Sequence, residues 1–265
     1  MKTTHKNNKL AWEEAYDKAP DSFKSITNQL QNNPKSFLNP LLIQAFNHID
    51  LNNKVVAQFS CNNGRETLAM QIVYNINKVY GFDIASNMIR DAKKTTESLN
   101  LDASFIATDI LDIDESFNNT FDVVVMMIGA ITWFESLEEV FAVVKRVLKD
   151  DGYFVLIDGH PLTMMFAFDY EKEYDPNCPY GLQHNYFKTT PFIDDNGMYY
   201  MTQQVYESLP FTSYSHTLSE IINSLVKNGL NIKLFEESNL NLLDNFSDLH
   251  EKHIPLTFLA LSQKK

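Results

Sequence analysis

The sequence predicts a doubly wound α/β domain, because strand-like and helix-like segments alternate along most of the chain. Short runs rich in β-branched and aromatic residues are each followed by a segment with helical spacing of its apolar residues. The run FDVVVMM, residues 121–127, is apolar on both faces, which is typical of a central strand covered by helices on both sides. A chain of 265 residues, 44% of them hydrophobic, can bury the core of one such domain carrying an insertion.

A helical cover is predicted over residues 1–50, ahead of the first strand. Trp12 and Tyr16 belong to a helix-like segment, and residues 41–46 repeat the helical spacing. Gly152, just before the fifth strand, suits a helix C-terminus that requires positive φ. The elements after the cover are expected in the order strand 54–59, helix 66–74, strand 78–82, helix 85–99, strand 104–107, strand 121–127, helix 137–148 and strand 153–157.

Residues 161–215 break this pattern and are predicted to form an inserted lid between the fifth strand and the following helix. Helical periodicity fades there, and a structureless loop of that length is improbable in one domain. The turn sequence DDNG at 194–197 predicts a hairpin between residues 192–193 and 198–200. Regular structure resumes with a helix at 218–227, a strand at 231–235 and a last strand at 255–262.

Charge and composition narrow the classes of partner. The formal net charge of −12 disfavours a nucleic-acid partner, because such binding depends on cationic contacts to phosphates. The N-terminus lacks the apolar segment of a signal peptide, and the longest apolar run, residues 123–131, is too short to span a bilayer. We therefore expect a cytoplasmic protein without a membrane partner. Cys61 and Cys178 fit no zinc spacing and are expected to be free thiols, with a single bridge as the alternative.

The stretch QFSCNNGRETLAM, residues 58–70, joins the first strand to the first helix of the alternating pattern. Small residues in such a turn let the backbone approach a ligand, and the amides at a helix N-terminus favour an anionic group. Gly64 is the only glycine in this turn, but asparagine tolerates left-handed conformations, so the turn stays sterically feasible. The turn alone does not decide whether a cofactor binds.

Two acidic residues follow the next strands. Asp83 lies about twenty residues beyond Gly64, the spacing at which a carboxylate accepts hydrogen bonds from ribose hydroxyls. Asp109 follows the third strand, where a carboxylate can accept from an adenine amino group. Each aspartate taken alone could be a helix cap or a solvated turn residue. The turn after the first strand and these two aspartates lie at three successive carboxyl ends of one sheet, and together they indicate a ligand site.

At these motifs the sequence resembles class I S-adenosylmethionine-dependent methyltransferases. Family members usually carry an acidic residue at Gln58 and glycines at Ser60 and Asn62. The variant is most similar to a subgroup of uncharacterised bacterial members with an L-Q-C-x-x-G motif and a tail like residues 214–222. The matching segments lie at 57–64, Asp83, Asp109-Ile110, 127–133 and 148–153.

The resemblance implies a Rossmann-like seven-stranded sheet in the order 3-2-1-4-5-7-6, with the last strand antiparallel. It implies S-adenosyl-L-methionine as the cofactor and one methyltransferase domain over residues 1–265. The implied cofactor contacts are Ser60, Cys61, Asn62 and Gly64 around the methionine moiety, Asp83 on the ribose, Ile84, Asp109 and Ile110 on the adenine, and Ile128 with Gly129 at the methyl-donor pocket.

The expected reaction is in-line methyl transfer to a small-molecule acceptor, which needs a base only if the acceptor must lose a proton. His160, which follows the fifth strand, is the candidate base, since histidine titrates near neutrality; the alternative is a histidine that only hydrogen-bonds a loop. Aromatic residues could form a lid over a partly aromatic or aliphatic acceptor, or could be ordinary packing. These substrate and lid candidates are Trp12, Tyr16, Trp133, Tyr170, Tyr174, Tyr186 and Phe187.

Two other functions remain open. One is a non-catalytic S-adenosylmethionine-binding or regulatory protein that keeps the fold. The other is an NAD(P)-dependent oxidoreductase, although Thr67 stands in place of the third glycine of that fingerprint, and the Tyr74–Lys78 pair ends the first helix of the alternating pattern. The stretch HEKH at 250–253 lacks the His-Glu-x-x-His spacing, so no metal is expected.

Overall fold

A seven-stranded mixed sheet forms the centre of the structure, a computed structural model that describes residues 1–167, 171, 173–242, 249 and 254–265. The order β3-β2-β1-β4-β5-β9-β8 and the antiparallel pairing of β9 with both neighbours confirm the predicted topology. The strands are β1 Val55–Phe59, β2 Lys78–Asp83, β3 Ala103–Ala107, β4 Phe121–Met126, β5 Leu148–Gly159, β6 Phe192–Asp194, β7 Phe211–Ser213, β8 Leu230–Ser238 and β9 Thr257–Lys264.

Helices cover both faces of this sheet. Successive side chains of β4 enter opposite cores: Val123 and Val125 pack on one face, and Val124 and Met126 on the other. This arrangement explains why the strand is apolar throughout. The helices are α1 Thr3–Lys18, α2 Asp21–Lys24, α3 Thr27–Asn32, α4 Pro40–Phe46, α5 Arg65–Tyr74, α6 Ser86–Leu99, α7 Leu137–Val147, α8 Tyr199–Thr202 and α9 Leu218–Lys227. Within the described residues, none of these helices has the length and apolar character needed to cross a bilayer.

The prediction for Gly152 is wrong. Helix α7 ends at Val147, and the residue with positive φ in this connection is Asp151, at 60°. Gly152 lies within β5, where a Cβ atom would come 2.9 Å from the Lys149 carbonyl oxygen and 3.1 Å from that of Asp122. Glycine is therefore required there by close backbone approach and not by helix termination.

The predicted hairpin at residues 192–200 is also wrong. Strand β6 pairs antiparallel with β7, which lies well beyond the turn, and not with residues 198–200. The chain after Gly197 forms the short helix α8, because the Met198 carbonyl accepts hydrogen bonds from the amides of Met201 and Thr202. A turn signal identified the bend, but pairing was decided by a strand further along the chain.

The N-terminal cover and the insertion join each other above the carboxyl ends of the parallel strands. Asn8 on α1 exchanges two hydrogen bonds of 2.8 Å with the backbone of Thr212 on β7. Ala11 and Ala15 of α1 pack in one cluster with Met201 and Phe211 of the insertion. From here on, the cover means a different set from the predicted residues 1–50, namely α1 together with β6, β7 and α8.

Candidate active site

A cavity of about 1550 Å³ lies between the cover and the carboxyl ends of the parallel strands. Its volume exceeds the 300–1,000 Å³ range that is roughly typical of a site for one small ligand, so the cavity has room for more than one. Cys61 and Gly64 are buried behind the turn, outside the lining. The other sequence-predicted cofactor residues all line it: Ser60, Asn62, Asp83, Ile84, Asp109, Ile110, Ile128 and Gly129.

The turn between β1 and α5 adopts left-handed backbone conformations at three alternate residues. Their φ angles are 53° at Ser60, 54° at Asn62 and 78° at Gly64. A Cβ at position 64 would also come within 2.5 Å of the Phe105 ring, so this position requires glycine. Asparagine and serine therefore replace glycine where the space permits a side chain.

The amides of this turn are used inside the protein. Those of Cys61 and Gly64 donate to the carbonyls of Phe82 and Cys61, and those of Asn62 and Asn63 donate to the side chains of Asp83 and Asn62. Four successive N–H groups are thus engaged, so the turn does not offer them to a phosphate. This geometry disfavours the dinucleotide alternative, which needs free amides at a pyrophosphate.

Asp83 presents its carboxylate to the cavity from the end of β2. One oxygen accepts from the Asn62 amide at 2.8 Å and the other from the Ala85 amide at 2.9 Å. Desolvation beneath the cover raises the pKa of Asp83 to about 6, although these amide hydrogen bonds lower it. A carboxylate has about four lone-pair positions, so Asp83 keeps capacity to accept from a ligand.

Asp109, at the end of β3, is held by a residue that the sequence did not suggest. Its Oδ2 lies 2.7 Å from Nδ1 of His5 on α1, and its Oδ1 accepts from the Leu111 amide at 3.0 Å. Both side chains of the pair are buried. Burial raises the pKa of Asp109, but the hydrogen bonds from His5 and Leu111 hold it below its usual value.

Two of the residues that depart from the family fingerprints, Gln58 and Thr67, contact each other. Thr67 donates from Oγ1 to Oε1 of Gln58 at 2.6 Å, and both side chains are buried. Gln58 also lines the cavity. The position where an acid is usual is therefore occupied by a neutral amide whose orientation Thr67 fixes.

Asp158 organises the loop after β4 from the end of β5. It accepts hydrogen bonds from the amides of Gly129 at 2.6 Å, Gly159 at 2.7 Å and Ile131 at 3.0 Å. Burial raises the pKa of Asp158 to about 6 against these hydrogen bonds. Gly129 has a φ of 80°, and a Cβ there would meet no atom within 4 Å, so the loop borders open space.

His160 lies outside the cavity lining, with both ring nitrogens engaged. Nδ1 accepts from the Leu162 amide at 3.1 Å, and Nε2 lies 2.8 Å from Oε1 of Glu237 on β8. Because Nδ1 faces a donor, the neutral ring carries its proton on Nε2. Burial lowers the pKa of His160 below its ordinary value, and the opposing effect of Glu237 is smaller. These contacts match the alternative of a histidine that hydrogen-bonds a loop.

An aromatic cluster forms one wall of the cavity. The ring of Trp12 meets Trp133 edge to face at a centroid distance of 5.0 Å, Phe211 at 5.2 Å and Tyr200 at 6.5 Å. Among these, Phe211 and Tyr200 were missed by the sequence analysis, because they lie in the insertion where no periodicity marks them. We call these four residues the aromatic wall.

The other lid candidates are dispersed. Tyr174 lines the cavity, whereas Tyr16 is a buried residue of α1 whose hydroxyl donates to Asp91 at 3.2 Å. The Tyr186 hydroxyl accepts from the Leu218 amide, and Phe187 is 71% exposed. Tyr170 lies outside the described residues, as does the HEKH stretch. Both cysteines are free, as predicted.

Acceptor groups dominate the charged lining of the cavity. The only arginine or lysine among the described lining residues is Arg65, which is paired with Glu66 at 2.7 Å. Such a site favours a ligand that carries hydrogen-bond donors and positive charge. The acidic lining residues are Glu66, Asp83, Asp109, Asp158, Glu171 and Asp194.

Comparison with known families relates the chain to an enzyme family. A family model described as a methyltransferase domain matches residues 50–212, which is more than half of the chain. The match includes β1–β4, the turn after β1 and both Asp83 and Asp109.

Solved structures share the fold at low sequence identity. A putative S-adenosylmethionine-dependent methyltransferase from Listeria monocytogenes is 20% identical with a TM-score of 0.61, and the alignment covers 90% of this chain and 99% of that one. A methyltransferase of this kind from Clostridium acetobutylicum is 14% identical with a TM-score of 0.62, covering 92% and 98%. Geranyl diphosphate C-methyltransferase from Streptomyces coelicolor is 12% identical with a TM-score of 0.55, covering 84% and 79%.

A curated relative is similar over a shorter segment. An uncharacterised protein of Methanocaldococcus jannaschii is 34% identical over 70 residues, which is 26% of this chain. The alignment spans only 32% of that protein's length.

Proposed function

The chain belongs to the methyltransferase domain family, and we propose that it transfers a methyl group from S-adenosylmethionine to a small-molecule acceptor. The observation that carries this proposal is the acceptor-rich cavity at the carboxyl ends of β1–β5, with Asp83 and Asp109 at the ends of neighbouring strands. Ligands of open α/β sheets bind at this edge.

The residues fit this cofactor by their chemistry. S-adenosylmethionine has donors in its ribose hydroxyls, ammonium and adenine amino group, together with a positively charged sulfonium, and the lining supplies carboxylates. It has no pyrophosphate, so a turn whose amides are engaged internally suits it. When bound, this cofactor supplies an electrophilic methyl group on sulfur.

We assign the cofactor contacts along the strand ends. The turn at Ser60 and Asn62 faces the methionine moiety, and Cys61 and Gly64 shape the turn from behind. Asp83 accepts from the ribose hydroxyls, using the capacity that Asn62 and Ala85 leave. Three groups complete the assignment: Asp109 with Ile110 at the adenine amino group, Ile84 against the adenine face, and Ile128 with Gly129 beside the methyl group.

The chain's own contribution to the reaction is alignment and exclusion of water. In-line displacement depends mainly on holding the attacking atom in line with the methyl group. Asp158 fixes the loop at 127–131, and the aromatic wall closes the cavity above it. Arg65 is neutralised by Glu66, so the described lining favours an acceptor without strongly anionic groups and with an aliphatic or aromatic body.

Calorimetric titration with S-adenosylhomocysteine tests the proposal. We expect the wild-type protein to bind this product and Asp83→Ala to bind it on the order of tenfold or more weakly, because a charge-assisted hydrogen bond is lost. Asp102→Ala is the matched control, since Asp102 is an exposed carboxylate that precedes β3, away from the cavity, and pairs with Lys78. Equal affinity of the wild type and Asp83→Ala would refute the assignment. Mass spectrometry of the small molecules that co-purify with the protein would identify the acceptor class.

A further inference from the structure

The pairing of His5 with Asp109 joins the N-terminal helix to the strand end assigned to adenine. The two residues are 104 positions apart in sequence, and their side chains are 5% and 2% exposed. His5 lines the cavity, and the edge-to-face contact of its ring with Phe134 at 5.5 Å fixes the ring orientation.

The residues ahead of His5 are anchored to two elements, the segment after β3 and helix α7. The amino group of Met1 pairs with Asp112 at 2.7 Å, and Lys2 pairs with Glu139 on α7. These contacts hold the start of α1 beside Asp109, in addition to the contacts that α1 makes with the insertion. His5 is thus held at a defined position from both the chain terminus and the Phe134 ring.

The pair presents the Asp109 carboxylate to the cavity. Nδ1 of His5 lies 2.7 Å from Oδ2 of Asp109 and donates to this carboxylate. Asp109 uses one oxygen for His5 and the other for Leu111, which prevents the carboxylate from rotating. A ligand group with N–H donors matches the Asp109 carboxylate, whereas a carbonyl oxygen placed there would face the carboxylate oxygens, which are acceptors too.

We propose that His5 is a specificity-determining residue, which by fixing Asp109 makes the site prefer a 6-amino purine to a 6-oxo purine. This inference rests on the proposed function, since it takes Asp109 as the contact to the purine. Without His5, Asp109 can turn away or take up water, so the discrimination falls even where binding remains.

The test uses calorimetry to compare S-adenosylhomocysteine with S-inosylhomocysteine, in which a 6-oxo group replaces the 6-amino group and N1 carries a proton. We expect the wild type to prefer the adenosine compound on the order of 100-fold, because a site built for a donor rejects an analogue that lacks it. His5→Ala should lower this ratio about tenfold or more. His5→Asn should retain most of it, since an asparagine amide can donate from nearly the same place as Nδ1.

Asn8→Ala separates this role from helix docking. It removes the hydrogen bonds between α1 and β7 but leaves His5 and Asp109 intact, so both ligands should weaken equally and the ratio should persist. Thermal unfolding of each variant checks that it folds. An unchanged ratio in folded His5→Ala, or an equal loss of both ligands, overturns the inference alone. Failure of the wild type to bind either ligand would instead overturn the proposed function on which it rests.

Discussion

At the end of β2, Asp83 is held by backbone amides no more than 21 residues away, whereas at the end of β3 Asp109 is held by a histidine 104 residues away. The pKa values of the two carboxylates shift in opposite directions. Desolvation raises the pKa of Asp83 to about 6, and the pair with His5 holds the pKa of Asp109 below its usual value. One half of the site is thus organised by local turns, and the other depends on a distant helix being in place.

The largest effect should come from breaking the distant pair. Asp109→Ala leaves His5 buried without its hydrogen-bond partner, and we expect it to lower the free energy of unfolding by about 2–3 kcal/mol. Denaturant titration would measure this loss. The double variant His5→Ala/Asp109→Ala should lose much less free energy of unfolding than the sum of the losses of the two single variants, because the pair is a coupled unit. Additive losses would show that the contact contributes little.

The next largest effect should be a pH dependence of ligand affinity that follows from the raised pKa of Asp83. If binding requires ionised Asp83, the affinity for S-adenosylhomocysteine should fall about tenfold between pH 7 and pH 5, because the pKa near 6 lies between them. Asp109 should not contribute in this range, since its pKa is lowered. Calorimetry at several pH values should find Asp83→Asn insensitive to pH there. A slope that persists in this variant would assign the titration to another group, such as Asp158.

Sequence predicted the locally organised half of the site better than the distant half. The alternation of elements, the apolar β4 and the aspartates at strand ends follow from local chain periodicity, and the family resemblance supplied the strand order. His5 carries no local signal, because its role depends on a contact 104 residues away. The pairing of β6 with β7 was missed for the same reason. Gln58 and Thr67 are only nine residues apart, but two buried polar residues flanking a turn do not by themselves indicate mutual contact.

A smaller effect is expected in the cover. Trp12→Ala removes the ring at the centre of the aromatic wall, so the free energy of unfolding should fall by about 1–2 kcal/mol through lost edge-to-face contacts. Phe187→Ala is the matched control, because its ring is 71% exposed and lies outside the cavity lining. Chemical denaturation of both variants measures the difference. Equal losses would mean that the wall packs no better than the exposed surface.

The smallest effect sharpens the comparison between two histidine–carboxylate pairs, His5 with Asp109 inside the cavity and His160 with Glu237 outside it. The Glu237 side chain is half exposed, so its pair with His160 is partly screened by solvent, and the Leu162 amide is the more protected partner of His160. We expect His160→Ala to lower the free energy of unfolding by about 1 kcal/mol, the value of one hydrogen bond, and to leave methyl transfer nearly unchanged. A turnover assay alongside calorimetry decides between the two roles. Loss of turnover with intact S-adenosylhomocysteine binding would instead establish His160 as the base that the sequence predicted, and would require the ring to reach the cavity during the reaction.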